Sequence, residues 1–538
     1  MNRAATPDIM ATMEGDGRPP VVILTPQSNV TSGAAVQEKL ITAALALGNI
    51  IRSTFGPRGL DKMMYKSDGN TAVTNDGAKI ISELLVKHPA AKAFVSLGQA
   101  QESTCGDGVT GCILFATELM REAGRLIRKG LHPLTVIEGW RQALDITLET
   151  MENSSIPIDN QNLIGISSTS LVGKGAQGAL QQFSTLVVEA AMEVAKSLPQ
   201  IEELGSENIL MCKSKKGSIQ DSRLLRGLVI EKRLANDKLP RNLMSPSIAL
   251  LTCPLEFETP TRDSEIEITD PEQLSAFLAA GEQSLDKIAD HILSLGTQAV
   301  FCGGAIDSRV LHVLCQNNVF ALGDLDEVEI ENIAAATGAK IVDLVRDLST
   351  SDLGEAGVLR IERREGSEGI EERVLVEECT SPKVVTIEVG GSNDIFTEEV
   401  IRGLHDSLKA TTLAIREGRA VNGGGHIHCV AALAIRTKAE ESADRERLAI
   451  ESFARALESI PLTLASNAGK EGLDVLLELR AAIRNQPGEV IGVKENGEVG
   501  DVSTVMIPLE SLQSSFIGAF ETASSLLRVD QVISARGD

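Results

Sequence analysis

The chain has 538 residues, 43% of them hydrophobic, which is enough for about two to four domains that each bury a core. Its 51 basic and 75 acidic residues give a net charge of −24, which argues against nucleic acid or an anionic membrane as a main partner. Because it has no apolar run long enough to span a bilayer and only 3% aromatic residues, we expect a soluble protein with aliphatic cores.

The cysteines and the N-terminus together favour a cytoplasmic protein. The eight cysteines are scattered singly, without a Cys-x-x-Cys pair, which suits a reducing compartment better than a disulfide framework or a zinc site. The N-terminus lacks a basic start followed by an apolar stretch, so no secretory signal is predicted. Residues 1–19 are polar and are predicted to form a disordered tail.

The first 110 residues are predicted to contain helices joined by three corners that glycines mark. A helix from about Val36 ends at the first corner, residues 56–59, and the second corner, residues 75–77, starts another helix. The third corner is Gly106-Asp107-Gly108. Short strands are predicted at 21–24, 63–65 and 71–74, the last two as a hairpin.

Gly106-Asp107-Gly108 carries the most informative chemistry. Apolar residues follow at three- and four-residue steps from Cys112 to Ile127, so a helix with one buried face is expected there. A glycine-flanked helix start offers backbone N–H groups to an anion, but Asp107 would repel a phosphate unless a cation lay between them. A divalent ion such as Mg²⁺, bound by one carboxylate and by phosphate oxygens, removes that conflict.

An ordinary acidic turn is the simpler interpretation of this corner taken alone. Three such corners with two carboxylates, however, favour a phosphate cradle over three unrelated turns. None of them fits the Walker pattern or the Rossmann fingerprint.

Beyond residue 153 the pattern changes twice. Residues 167–175 are predicted as a Ser/Thr/Gly loop that carries Lys174, and residues 229–382 as an α/β domain inserted between two helical parts. Within that insertion, Asp270-Pro271 is a helix start. Helices are expected again from about Thr397 to the C-terminus, with interruptions at 422–425 and 467–469. The predicted strands of the insertion are 248–251, 299–301, 319–322 and 340–342.

In these features the chain resembles a group II chaperonin subunit of the archaeal thermosome and eukaryotic cytosolic chaperonin type. The resemblance runs from about Pro20 to Arg536 and rests on many motifs in the same order. They are Thr54-Phe55-Gly56-Pro57-Arg58-Gly59-Leu60-Asp61-Lys62-Met63, Val73-Thr74-Asn75-Asp76-Gly77-Ala78, His88-Pro89-Ala90-Ala91-Lys92, Gly106-Asp107-Gly108, Gly173-Lys174-Gly175-Ala176, Leu404-His405-Asp406, Gly423-Gly424-Gly425, Ser466-Asn467-Ala468-Gly469 and Leu527-Arg528-Val529-Asp530.

The resemblance implies a multi-domain α and α/β fold. A helical equatorial ATPase domain would contain an inserted intermediate domain, and that in turn an α/β apical domain with a helical protrusion that acts as a built-in lid. The implied bounds are 20–158 and 422–538 for the equatorial domain, 159–230 and 384–421 for the intermediate domain, 231–383 for the apical domain and about 256–292 for the protrusion.

The resemblance also implies an ATP-dependent chaperone that encloses non-native polypeptide in a closed double ring of identical or paralogous subunits. Asp107 would bind the Mg²⁺ of ATP, and Asp76 and Asp406 would orient and activate the attacking water. Lys174 would respond to the γ-phosphate. Residues implied to contact the nucleotide are Thr54, Gly56, Pro57, Gly59, Gly77, Gly108, Thr110, Lys174, Gly424 and Gly425.

The chain departs from the family pattern at positions that matter for nucleotide binding. Val109 replaces the first of two usual threonines, which removes a hydroxyl worth on the order of 1 kcal/mol. Lys79 replaces a common threonine and would either compensate near phosphate or point to solvent. Ile507 replaces an acidic residue. His426 and His428 follow the triple glycine two residues apart, which does not place them on one helix face for a metal. These changes indicate a divergent paralogue.

Three functions therefore remain open. The first is an ATP-driven folding chamber. The second is a structural or regulatory ring subunit with weak ATPase activity that works only with partner subunits, which Val109 and Ile507 favour and the three carboxylates oppose. The third, a stand-alone metabolic ATPase or kinase, would need its own acid–base groups, and the seven histidines show no such cluster.

Overall fold

The computed structural model describes residues 29–32, 34–65, 71–84, 88–174, 177–214, 217–257, 271–366, 369–391, 394–441 and 444–534. The predicted tail at 1–19, the predicted strand at 21–24 and residues 258–270 of the predicted protrusion lie outside these ranges. Five consecutive segments build the described fold.

The first segment is mainly helical. Its elements are β1 (Asn29–Ser32), α1 (Ala34–Arg52), β2 (Lys62–Tyr65), β3 (Thr71–Thr74), α2 (Gly77–Glu83), α3 (Pro89–Cys105), α4 (Val109–Arg128), α5 (Pro133–Asn153) and β4 (Ile156–Pro157). The predicted hairpin is confirmed, because β2 and β3 pair antiparallel from Lys62↔Thr74 to Tyr65↔Thr71.

The second segment contains α6 (Asn160–Leu171), α7 (Leu180–Ser197), β5 (Ile209–Ser214), β6 (Arg223–Leu225) and β7 (Leu228–Ile230). The prediction of a loop at 167–175 was wrong for most of that range, because α6 continues to Leu171. The small polar side chains that suggested a loop find partners within the helix and across it. Thr169 Oγ1 donates to the carbonyl of Gly165 at 2.7 Å, and Ser167 lies fully buried against Ser407.

The third segment is the α/β insertion. Its elements are β8 (Asn242–Met244), β9 (Ser247–Leu251), α8 (Pro271–Ser294), β10 (Ala299–Cys302), α9 (Ser308–Gln316), β11 (Phe320–Leu322), α10 (Glu327–Thr337), β12 (Ile341–Val342), β13 (Gly354–Glu355), β14 (Val358–Gly366) and β15 (Gly369–Glu377). The four predicted strands run parallel in one sheet in the order β11-β10-β9-β12, as expected for runs that alternate with helices, and β13 adds an antiparallel strand beside β9.

The fourth segment consists of β16 (Val385–Gly390) and the long helix α11 (Asp394–Glu417). It returns the chain from the insertion to the second segment, since β16 pairs in parallel with β5 and α11 packs on α6 and α7.

The fifth segment contains β17 (Arg419–Asn422), α12 (His426–Ala439), α13 (Glu446–Asn467), α14 (Gly472–Asn485), β18 (Ile491–Val493), β19 (Val499–Asp501), β20 (Met506–Pro508), α15 (Leu509–Leu527) and β21 (Gln531–Ser534). The expectation of uninterrupted helices after 469 was wrong at residues 491–508. That stretch forms short strands because glycines at 488, 492, 497 and 500 divide it into pieces too short for a helix.

Hydrophobic cores join segments that are distant in sequence. One core holds side chains of the first and fifth segments, a second holds those of the α/β insertion, and a third joins α6, α7 and β5 to β16 and α11. In the first core α4 is buried on more faces than the single one predicted, because α1, α3, α13 and α15 all pack on it. The multi-domain α and α/β fold class is confirmed; the exact domain bounds stay predictions.

Candidate functional site

The predicted site residues meet at one large cavity of ≈ 990 Å³ between the first, second, fourth and fifth segments. The cavity is lined by nearly all of them: Thr54, Gly56, Pro57, Asp76, Gly77, Asp107, Gly108, Thr110, Lys174, Asp406, Gly424 and Gly425. Gly59 is the exception. Its N–H donates to the carbonyl of Gly56 at 2.9 Å, and a side chain there would collide with the carbonyl of Thr54, so Gly59 shapes the corner from behind.

The first corner follows α1 and is held by the end of α13. Asn467 Nδ2 donates to the carbonyls of Arg52 at 2.9 Å and Phe55 at 2.8 Å, which fixes the path of the chain as it leaves the helix. Gly56 has φ 85°, a conformation that glycine adopts without strain, and a Cβ there would lie 2.4 Å from Leu464. The corner therefore exposes backbone to the cavity at a position that only glycine fits.

The second corner places Asp76 at the start of α2. Its carboxylate accepts from the N–H of Ala78 at 2.9 Å, as a helix N-cap does. Gly77 lies directly against Thr110, because a Cβ on Gly77 would sit 2.3 Å from the Thr110 hydroxyl. The second and third corners are thus in contact through the start of α4.

The third corner joins α3 to α4 through two glycines in the left-handed region, Gly106 with φ 72° and Gly108 with φ 84°. Asp107 Oδ1 accepts from the N–H of Gly108 at 2.8 Å, which leaves its other oxygen available to a ligand. Gln101 fixes the turn by donating to the carbonyls of Asp107 at 3.2 Å and Ser511 at 3.0 Å.

Asp406 reaches the cavity from α11. The preceding turn of that helix has Gly403, where a Cβ would lie 3.2 Å from the Lys174 side chain, and Ser407 pairs with Ser167 of α6 at 2.8 Å. Both contacts press α11 onto the second segment. The carboxylate of Asp406 is consequently aimed between the segments.

Lys174 links Asp406 to Asp107. Its Nζ lies 2.7 Å from Asp406 Oδ2 and 3.3 Å from Asp107 Oδ1, and the exposed fractions of the side chains are 18% for Lys174, 10% for Asp406 and 33% for Asp107. Burial lowers the pKa of Lys174, but the two carboxylates outweigh burial and raise it overall.

The site holds more negative charge than Lys174 can balance. Burial raises the pKa of Asp406 to about 7; Lys174 opposes that shift, whereas Asp107 and Asp76 add to it. An additional cation in the cavity would relieve this repulsion. Among the residues that the structure describes, no group of three or more His, Cys, Asp or Glu side chains could hold a metal ion unaided.

Sequence reasoning missed four polar residues around the cavity: Asn75, Gln101, Glu102 and Lys409. Asn75 Nδ2 donates to the carbonyl of Gly173 at 2.5 Å, and Lys409 Nζ donates to Glu102 at 3.2 Å. The available signal was spacing, because Lys409 follows Asp406 by three residues and shares its helix face.

The departures from the family pattern occupy different places. Val109 lines the cavity and is buried against α3, and Ile507 lines the cavity from β20, whereas Lys79 is not among the cavity-lining residues. His428 also lines the cavity, and its burial lowers its pKa to about 4. His426 Nδ1 lies 2.8 Å from the carbonyl of Ile491, so the two histidines have separate surroundings.

Comparison with known proteins decides the family. Residues 47–537 match the TCP-1/cpn60 chaperonin family. The chain belongs to this family. The thermosome subunit alpha of Archaeoglobus fulgidus is 36% identical to it over 540 residues, which cover 98% of this chain and 96% of the relative.

Other archaeal relatives agree over the same length. The thermosome subunit of Methanocaldococcus jannaschii is 37% identical over 525 residues, covering 96% of this chaperonin and 95% of the relative. That of Methanopyrus kandleri is 36% identical over 534 residues, covering 98% and 97%. This chaperonin is a group II subunit, an ATP-dependent chaperone with ATPase activity. In the part of the chaperonin that the structure describes, no helix is long and apolar enough to cross a membrane.

Proposed function

We propose that the cavity is the ATP site of this chaperonin and that α11 completes it for hydrolysis. The observation that carries this proposal is the meeting of three glycine corners with Asp76, Asp107, Asp406 and Lys174 in one cavity. Corners of this kind offer backbone N–H groups to phosphate oxygens, and phosphoryl transfer needs positioning and charge neutralisation more than covalent chemistry.

The donor set fits Mg²⁺ carried in with ATP. Asp107 has a carboxylate oxygen that the turn does not use, and the carboxylates of Asp76, Asp107 and Asp406 outnumber the ammonium group of Lys174 that lies between two of them. Oxygen donors are those that Mg²⁺ prefers, and it is commonly bound by one or two carboxylates together with phosphate oxygens. When bound, the ion would neutralise charge on the phosphates. Asp107 would hold it.

The other residues have separate tasks. Thr54, Gly56, Pro57, Gly108 and Thr110 would surround the phosphates, with Gly59 and Gly77 shaping the corners. Gly424 and Gly425, which precede α12 with φ 60° and 79°, would line the remainder of the nucleotide site.

Asp76 and Asp406 would orient the attacking water and accept its proton. Asp406 belongs to α11, so hydrolysis would depend on the position of the segment that returns from the α/β insertion. Lys174, which bridges Asp107 and Asp406, would respond to the γ-phosphate of bound ATP.

At the level of the assembly, we propose closed double rings of identical or paralogous subunits that enclose non-native polypeptide in the cytoplasm. The α/β insertion would be the apical domain. α8 (Pro271–Ser294) would belong to the lid protrusion of about 256–292, and hydrolysis would drive its closure. The domain bounds predicted from the sequence are part of this proposal.

A structural subunit with weak ATPase activity is the second candidate. Val109 and Ile507 favour it, because both present aliphatic side chains where the family pattern has a hydroxyl or an acid, and both line the cavity. The persistence of all three carboxylates in one cavity favours the active enzyme.

Equilibrium binding of ATP tests the proposed site. Asp107→Ala is expected to weaken ATP binding in the presence of Mg²⁺ on the order of 100-fold and to make the remaining binding independent of Mg²⁺. Asp145→Ala on the exposed side of α5 is the matched control and should bind as wild type. Unchanged Mg²⁺-dependent affinity in Asp107→Ala would refute the metal assignment; wild-type binding without phosphate release would favour the second candidate.

A further inference from the structure

A second contact joins α11 to the third corner, one helical turn beyond Asp406. Lys409 Nζ donates to Glu102 Oε1 at 3.2 Å, and Glu102 lies on α3 one turn before Gly106. Lys409 and Asp406 are three residues apart, which puts them on the same face of α11 about 4.5 Å apart along its axis. The helix therefore meets the corner at two points.

The stem of Lys409 also lies across Gly106. A Cβ built on Gly106 would be 2.2 Å from both the Cβ and the Cδ of Lys409. The Cβ of Lys409 is fixed to the backbone of α11, so the absence of a side chain at Gly106 is what allows the helix to approach this closely. The charged end then reaches past the corner to Glu102.

The charges around this contact also favour Lys409 as the residue that holds α11 at the third corner. Burial raises the pKa of Glu102, Lys409 opposes the shift, and Asp76 and Asp107 add to it, so Lys409 is the cation that compensates Glu102 beside the proposed metal ligand. On the other face of the corner Lys174 compensates Asp107 and Asp406. Two lysines thus connect α11 with the acidic corner.

We infer that Lys409 is a positioning residue for hydrolysis: its contacts with Gly106 and Glu102 set the distance at which α11 presents Asp406 to the bound nucleotide. This inference rests on the proposed role of Asp406. Lys409 does not line the cavity, so it acts through the placement of α11 and leaves nucleotide contacts unchanged. Losing it should lower kcat more than it changes the binding of ATP, because Asp406 acts in the chemical step.

Lys409→Met tests the inference, because it keeps most of the stem over Gly106 and removes the charge. We expect kcat for ATP hydrolysis by the ring-sized fraction to fall about threefold to tenfold, with KM and the Kd of ATP within about twofold of wild type. The charge-swapped pair Glu102→Lys with Lys409→Glu should recover kcat to within about twofold of wild type.

Lys213→Met is the matched control, since Lys213 of β5 makes a similar ion pair with Glu398 of α11 at 2.7 Å, but far along the helix from Asp406. It should leave kcat unchanged. Asp406→Ala is measured in parallel. If that variant is inactive while Lys409→Met matches wild type, or if the swapped pair fails to recover kcat, the positioning inference is overturned alone. If Asp406→Ala keeps turnover, the proposed role of Asp406 fails and the inference with it.

Discussion

The two sides of the cavity are held by different forces. On the side built by the first and fifth segments, the corners are fixed by amide hydrogen bonds from Gln101 and Asn467 to backbone carbonyls and by the large shared core. On the α11 side, Lys409 reaches Glu102 through an ion pair, and Lys174, which pairs with Asp406, reaches Asp107 of the corner. Farther along α11, Ala410 and Ala414 share a small core with Ala420 and Met506, so α11 stays anchored to the fifth segment there. At the third corner the ion pairs can separate without exposing that core, so one side is suited to bind and the other to complete the site by moving.

This difference gives ATP hydrolysis a physical connection to the α/β insertion. α11 and β16 form the fourth segment, which returns the chain from that insertion, and α11 carries Asp406. A change in the position of the insertion would therefore reach the residue proposed to orient the water. The side built by the first and fifth segments, the fixed side, would keep ATP bound while the α11 side opens and closes.

A large loss of activity is expected from a substitution at the point where the two sides touch. Gly106→Ala would place a Cβ 2.2 Å from Lys409 and force alanine to adopt φ 72°, so α11 should be pushed away from the corner. We expect kcat to fall at least about tenfold and the melting temperature to fall as well, since left-handed alanine alone costs about 1–2 kcal/mol.

Gly130→Ala is the control that separates these two causes. Gly130 has φ 84°, but a Cβ there would meet nothing within 4 Å, so this variant should lose stability without losing kcat. Equal losses of kcat in the two variants would show that strain alone is responsible and that close approach of α11 is unimportant.

A smaller effect should appear in the dependence of stability on pH. Burial raises the pKa of Asp406 to about 7 in the folded protein, above its ordinary value of 3.8. A raised carboxyl pKa stabilises the fold below the ordinary value, and that stabilisation is lost as the pH rises through about 7. Asp406→Asn cannot ionise, so it does not lose this stabilisation. Without nucleotide, its melting temperature minus that of wild type should therefore increase by roughly 2 °C or more from about pH 5 to about pH 8.

A constant difference in melting temperature across that pH range would mean that Asp406 titrates as an ordinary surface carboxyl. It would also remove the argument that the α11 side carries uncompensated negative charge.

Local patterns in the sequence predicted much of the fixed side and little of what joins it to α11. Glycine next to Asp76 and Asp107 is a short-range signal, and the strands of the insertion could be predicted because short aliphatic runs alternate with helical patterns. The family resemblance added Asp406 and Lys174. Residues 167–171 were mistaken for a loop because their hydroxyl groups are satisfied by α6 itself and by Ser407, 240 positions away from Ser167.

The spacing of Lys409 from Asp406 places both on one face of α11, but nothing in the sequence pairs Lys409 with Glu102. The two residues are 307 positions apart, and a lysine on a helix is usually a solvated side chain. Only the packing of α11 across Gly106 brings them together, which is a property of the tertiary structure.

The most direct test of the account is single-turnover phosphate release from bound ATP by wild type and Asp406→Ala. We predict that the variant binds Mg-ATP with wild-type affinity, because the fixed side is intact, and releases phosphate at least about 100-fold more slowly. Wild-type release by Asp406→Ala would contradict the claim that α11 completes the site. A large loss of ATP affinity in that variant would contradict the division of binding and hydrolysis between the two sides.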